Sequence, residues 1–149
     1  LGRYALTGRP LLGICLGMQL LMTVSEEFGL HIGLDFIPGR VMAIPSEGID
    51  GTPHKIPHIG WSRLRRPSEV NSWDNTILED VVEGAYVYLV HSYTGVPDDL
   101  RHRLAVCDYD GCQIAGAIQR GNVVGCQFHP EKSGPVGLKI LATFLRWRI

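Results

Sequence analysis

Three groups of residues have types and spacing that could do chemistry. The first is Gly13-Ile-Cys-Leu-Gly17, a cysteine bracketed by glycines at minus two and plus two. It is the thiol counterpart of the G-x-S-x-G elbow, in which a sharp strand-to-helix turn lifts a nucleophile out of a sheet. Glycine suits both flanking positions, where neighbouring backbone passes close and a Cβ would collide. A cysteine opening a helix also has its thiolate favoured by the helix dipole and free N–H groups. The pattern predicts an activated thiol at Cys15; a small buried core cysteine is the alternative.

The second group is Gln19, one helical turn beyond Cys15 on the same face. A polar amide among Leu16, Met18, Leu20, Leu21 and Met22 is costly without a partner, and a ligand reaching Cys15 could be that partner. The third is Gln127-Phe-His-Pro-Glu131. Pro130 is expected to keep the segment extended, so that His129 and Glu131 point the same way. A carboxylate there can hold an imidazole in one tautomer, as the acid of a catalytic triad does. A histidine at a strand end is also commonly just a satisfied polar residue. Together with Cys15, the pair suggests a Cys-His-Glu triad.

Other constellations carry less. Cys126 and His129 have metal-ligand spacing but no second pair nearby, so no metal site is expected. Pro53 and Pro57 argue against a helix presenting His54 and His58 together. His91 reads as structural.

These residues need elements to position them. Leu11, Leu12 and Ile14 suit a buried strand entered at Pro10, followed by a helix over residues 16–27 that closes at Phe28-Gly29. A turn at Pro38-Gly39 should lead into a strand ending before Pro45, and residues 46–53 into a polar loop. Residues 55–61 read as irregular, 64–74 as a surface loop and 76–82 as a short helix. Residues 85–92 form the best-defined strand. Residues 103–107, 112–119 and 123–128 should be three strands joined by Asp-Gly and Gly-Asn turns. Pro135 suits the first turn of a final helix over 136–147, with Leu138, Leu141, Ala142 and Leu145 as its buried face.

Composition bounds the rest. At 149 residues the chain is one domain by size, able to bury about 70% of its unfolded surface. Hydrophobic content of 45%, charge of 19% and 18 glycines suit an α/β protein. A net charge of −1, without charge runs, gives no basis for binding nucleic acid or an anionic membrane. Cys15, Cys107, Cys112 and Cys126 include no C-x-x-C pair and are too few for a disulfide scaffold. The apolar run around Cys15 is too short to span a bilayer, and a cytoplasmic location is expected. An all-apolar strand at 11–14 wants sheet neighbours on both sides. The domain, residues 1–149, is therefore expected to lack its N-terminal part.

GICLGMQLL and QFHPEKSG resemble the nucleophile and His/Glu segments of class I (triad) glutamine amidotransferases. PGRV with KIPHIGW, and YLVHSY, resemble in particular the glutaminase subunits of imidazole glycerol phosphate synthase, from Pro10 onward. The resemblance implies a mixed, mostly parallel central sheet flanked by helices. It implies Cys15 as nucleophile, His129 as general base and acid, and Glu131 as its orienting carboxylate. Gln19, Leu16, Gly17, Ser92 and Tyr93 are implied as substrate-binding, with the Leu16 N–H as an oxyanion donor. The family's second donor lies in an upstream glycine loop that Gly2 and Gly8 do not resemble. The resemblance also implies glutamine as substrate, no cofactor, and a (β/α)8-barrel cyclase subunit as partner in a heterodimer, contacted through Trp61, Tyr88 and Lys132. Two readings compete: an amidotransferase of another synthase or a γ-glutamyl hydrolase, and a non-catalytic fragment that keeps only the partner surface.

Overall fold

The computed structural model describes residues 1–147. After a short helix α1 (Gly2–Ala5) the order is β1 (Leu11–Ile14), α2 (Leu16–Leu20), β2 (Met22–Ser25), β3 (His31–Ile32), β4 (Ile37–Ala43), β5 (His58–Arg65), β6 (Tyr86–His91), β7 (Tyr93–Pro97), β8 (Ala105–Tyr109), β9 (Cys112–Arg120), β10 (Val123–Cys126) and α3 (Gly134–Arg146). One sheet runs β1-β10-β9-β8-β5-β6 and a second runs β3-β2-β4-β7. The expected mixed α/β architecture is present. Parallel pairing, however, is confined to β1 with β10 and β2 with β4, and the other described pairs are antiparallel. A parallel majority is therefore not found.

The stretch from 103 to 128 folds nearly as read. Asp110 and Gly111 both take positive φ (50° and 82°), the combination a two-residue hairpin turn requires, and this joins β8 to β9. Strand β1 pairs only with β10 and so lies at the sheet edge, with Leu11 and Leu12 half-buried. One core packs α3 and residues 73–78 against the six-stranded sheet. A second packs Met18, Leu21 and Met22 against Ile37, Val41 and Ile118.

Several expectations are overturned. The helix after Cys15 ends at Leu20, not 27. The carbonyls of Leu20, Leu21, Met22 and Thr23 accept from N–H groups of residues 33–37, and β-branched Thr23 and Val24 favour the strand that results. Pro38 and Gly39 lie inside β4 rather than in a turn before it. Residues 58–65, read as irregular and loop, form β5, and Tyr93–Pro97 adds a strand directly after β6. Residues 76–82 form no helix: 77–80 are a turn, in which Ile77 and Leu78 are buried. The face of α3 is rotated: Gly137, Ile140 and Thr143 are buried, Leu141 is half-buried, and Leu138, Ala142 and Leu145 are exposed. The cause lies at Gly137, where a Cβ would stand 1.8 Å from the Pro130 carbonyl oxygen. Only glycine can bring the helix this close, and that approach fixes which side faces inward.

Candidate active site

Cys15 sits where β1 gives way to α2, at φ 51° and ψ −109°. A non-glycine residue held there marks a strained elbow. Its N–H donates to Cys126 O at 2.7 Å, continuing the β1–β10 pairing past Ile14 opposite Cys126. A Cβ on Gly13 would lie 2.5 Å from Gly17 O, so the minus-two glycine is demanded by close approach, as read. The plus-two glycine is not: a Cβ on Gly17 meets nothing within 4 Å.

The thiol itself differs from expectation. Burial pushes the Cys15 pKa up, the Leu16 N–H opposes this, Glu131 raises it, Gln127 lowers it, and Glu27 raises it again. A helix of five residues supplies little dipole against burial and two carboxylates, so the resting site disfavours the thiolate.

His129 follows the neighbouring strand, three residues past Cys126. The His129 Nδ1–Glu131 Oε1 distance is 2.8 Å, so the predicted pair forms. The route differs from the extended segment expected, because Pro130–Lys132 is a 3-10 turn. The histidine is anchored to β6: its N–H donates to Tyr88 O (2.9 Å), the Ser133 hydroxyl donates to His129 O (2.7 Å), and Tyr88 N–H donates to Ser133 Oγ (3.0 Å). Ser133, 2% exposed, was not singled out from sequence, because its part in holding His129 depends on a strand distant in the chain. Among the described residues Cys15 and His129 share no hydrogen bond; the Sγ lies 3.9 Å from both Val90 O and Gln127 Nε2.

Gln19 is buried, and its partners are internal: Nε2 donates to Tyr93 O (3.2 Å) and Gln127 Oε1 (3.4 Å). A ligand is not needed to satisfy that donor. The Ser92 carbonyl accepts from Ile44 N–H, and that of Tyr93 from Gln19 and His91. Beside the elbow lies a cleft of about 270 Å³ lined by Leu16, Gln19, Leu20, Glu27, Phe28 and His31, among others. Gly17 and Ser92 are outside its lining, and Tyr93 borders it through its ring contact with Phe28 (centroids 6.4 Å apart). Glu27 is the carboxylate of this cleft and was missed from sequence, because residues 16–27 read as one amphipathic helix. Helix α1 is tied by Asn122 to the opposite end of β1, so it brings no second oxyanion donor to Cys15.

On the outer face of β5 and β6, Trp61 (54% exposed) meets Tyr88 edge-on at 5.7 Å, beside exposed Ile59, while Arg63 lies over Tyr86. Lys132 is exposed next to His129. No group of described residues is arranged to hold a metal ion, and no described helix is long and apolar enough to cross a membrane.

The family model for "Glutamine amidotransferase class-I" matches residues 1–147. The chain belongs to that family. Among relatives of this glutamine amidotransferase, imidazole glycerol phosphate synthase subunit HisH 1 of Legionella pneumophila (strain Paris) is 51% identical over 144 residues, 97% of this chain and 68% of the relative. Subunit HisH of Geobacillus sp. (strain WCH70) is 50% identical over 139 residues, 92% of this chain and 62% of the relative. The fold is similar to a crystal structure of a glutamine amidotransferase from Thermotoga maritima, with a TM-score of 0.59 and 19% identity, covering 97% of this chain and 50% of that one.

Proposed function

We propose that this amidotransferase is the glutaminase subunit of imidazole glycerol phosphate synthase, releasing ammonia from glutamine for a cyclase subunit in histidine biosynthesis. The observation that carries the reading is the Cys15 elbow at the end of β1, beside the strand whose continuation holds His129 against Glu131. The HisH relatives supply the pathway.

Glutamine enters the cleft with its α-ammonium on Glu27. That contact offsets one of the negative fields that keep the Cys15 thiol protonated, so substrate binding itself favours the thiolate. His129 takes the thiol proton as the sulfur attacks the side-chain carboxamide, and the Leu16 N–H donates to the oxyanion that forms. His129 gives a proton to the leaving nitrogen, the C–N bond breaks, and a γ-glutamyl thioester remains with free ammonia. The same imidazole takes a proton from water, hydroxide adds to the thioester, and glutamate leaves as the thiol is restored. Glu131 orients the ring throughout. Gln19 lines the cleft around the substrate and Tyr93 borders it, while Gly17 and Ser92 act from outside it, through the elbow and the backbone beside it. Ammonia protonated in bulk water would lose its nucleophilicity, so it passes directly into a (β/α)8-barrel cyclase. That partner docks on the Trp61–Tyr88 face and Lys132. Because the Tyr88 main chain holds His129, docking reaches the base through a single strand.

The test is glutamate release by the chain alone and with the cyclase subunit. Turnover that rises strongly with the partner supports the reading. Equal turnover without it favours a free-standing hydrolase, and none in either state favours a non-catalytic role.

A further inference from the structure

Gln127 opens the segment that carries His129 and Glu131, is fully buried, and has no part in the steps above. A buried primary amide is costly unless both its ends are met. Its Oε1 accepts from Gln19 Nε2 at 3.4 Å, and its Nε2 lies 3.9 Å from Cys15 Sγ. Which end of an amide is nitrogen is usually ambiguous, but here the neighbours decide. The Tyr93 carbonyl only accepts, so the Gln19 group 3.2 Å from it is NH2. That NH2 also faces Gln127 and requires its oxygen there, which turns the Gln127 nitrogen toward the sulfur.

A second arm ends on the same carbonyl. His91 Nδ1 lies 2.8 Å from Tyr93 O and must donate. With the ring neutral, His91 Nε2 accepts from His58 Nδ1 at 3.1 Å, and His58 Nε2 accepts from the Ser62 hydroxyl at 3.1 Å. Both imidazoles are buried, which keeps them neutral. Ser62, His58 and His91 therefore donate in turn toward the Tyr93 carbonyl, Gln19 donates both to that carbonyl and to Gln127, and the network runs from β5 through this shared acceptor to the elbow.

We propose that Gln127 is a further catalytic residue, whose amide N–H donates to the Cys15 thiolate, and that Gln19, the Tyr93 carbonyl, His91 and His58 are positioning groups that hold the amide in its donating orientation. The proposal rests on Cys15 being the nucleophile. The contact is long while the sulfur is a thiol and tightens when it carries charge, because bonds to ionised acceptors are shorter and stronger. Titratable groups on the elements around the sulfur are Cys126 on β10 with His129, Glu131 and Lys132 after it, Glu26 and Glu27 after β2, Tyr86, Tyr88 and His91 on β6, and Tyr93 on β7. Substitution of Gln127 alone removes none of these groups.

The experiment is the pH dependence of Cys15 alkylation by iodoacetamide, read by peptide mass mapping, with Cys112 as internal control. Gln127→Met removes the donor at similar length, and Gln127→Glu replaces it with an acceptor. Both should move the Cys15 midpoint upward by roughly half to one pH unit, which is about 3- to 10-fold slower alkylation below the midpoint. His91→Leu should move it in the same direction. His91→Asn keeps an N–H for the Tyr93 carbonyl and should restore the parent profile, a rescue that loss of packing alone would not give. If the Gln127 variants fail to fold, the His91 pair decides. An unchanged Cys15 midpoint in folded Gln127 variants, or in His91→Leu, overturns the proposal. Undiminished glutamate release by Cys15→Ala would instead remove the nucleophile reading and the catalytic meaning of the bond with it.

Discussion

Acidification should destabilise this protein through one cross-strand pair, His58 on β5 facing His91 on β6. Both side chains are buried, and burial holds His91 down from 6.5 to about 4, partly opposed by its bond to the Tyr93 carbonyl and assisted by His58 and His129. Below pH 6.5 the unfolded chain takes up a proton on His91 that the folded chain refuses until about pH 4. The unfolded state then binds more protons, so stability is lost as pH falls through that window and is fully present above it. Between pH 7 and 4.5 the difference works out at about 2.5 kcal/mol for His91 alone. His58 is lowered too, by burial and His54 against the opposing charge of Asp110, and acts in the same direction. The assay is urea unfolding at half-unit pH steps on the parent and on His91→Asn, whose amide can still donate to Tyr93 O but does not titrate. The parent should lose about 2 kcal/mol more than the variant on going to pH 4.5. Parallel stability profiles would refute the reasoning, because they would mean that His91 protonates as readily in the folded chain as in the unfolded one.

Other outcomes follow from the same geometry. Gly13→Ala drives a Cβ to 2.5 Å from Gly17 O and 2.8 Å from Met18 N; both are backbone atoms that cannot swing aside, so thermal unfolding should show a loss of about 3 kcal/mol. His129→Ala should reduce partner-stimulated glutamate release by about 10²- to 10⁴-fold. Glu131→Ala should cost less, since its side chain is 49% exposed and its field on the ring is partly screened. Trp61→Ala should weaken binding of the cyclase subunit by roughly 30-fold or more by calorimetry, as buried aromatic anchors do, while far-ultraviolet circular dichroism stays unchanged.

What was legible in the sequence was local. The β8–β9 hairpin follows from Asp110-Gly111, and the elbow from the close approach that Gly13 must permit. His129 and Glu131 meet because two residues around a proline can hardly avoid it, by a tight turn instead of an extended segment. What was not legible depended on partners far along the chain. Strand β5 buries His58, Ser62 and Leu64 and turns Ile59 and Trp61 outward, so two of its three large apolar residues lie on the solvent side and its alternation reads as irregular. Its polar inward face makes sense only once His91 stands opposite. The face of α3 is set by the Pro130 carbonyl against Gly137 and not by the leucine spacing. Glu27 reached the cleft because the segment after Leu20 pairs with residues 33–37 instead of continuing as helix. The upward shift of the Cys15 thiol likewise comes first from burial and then from Glu131 and Glu27, none of them legible from its neighbours in sequence.

The central claim is that Cys15 is the sulfur that takes the glutamyl group. The most direct measurement is covalent labelling with an electrophilic glutamine analogue in the presence of the cyclase subunit, followed by peptide mapping of all four cysteines. Cys107, pushed up to about 12 by burial, and Cys126, pushed higher still, are poor nucleophiles, and Cys112 lies on β9, away from the elbow. The account predicts label on Cys15 alone, abolished by excess glutamine. Label shared evenly with Cys112, or absent from Cys15 while glutamate is still released, would contradict it.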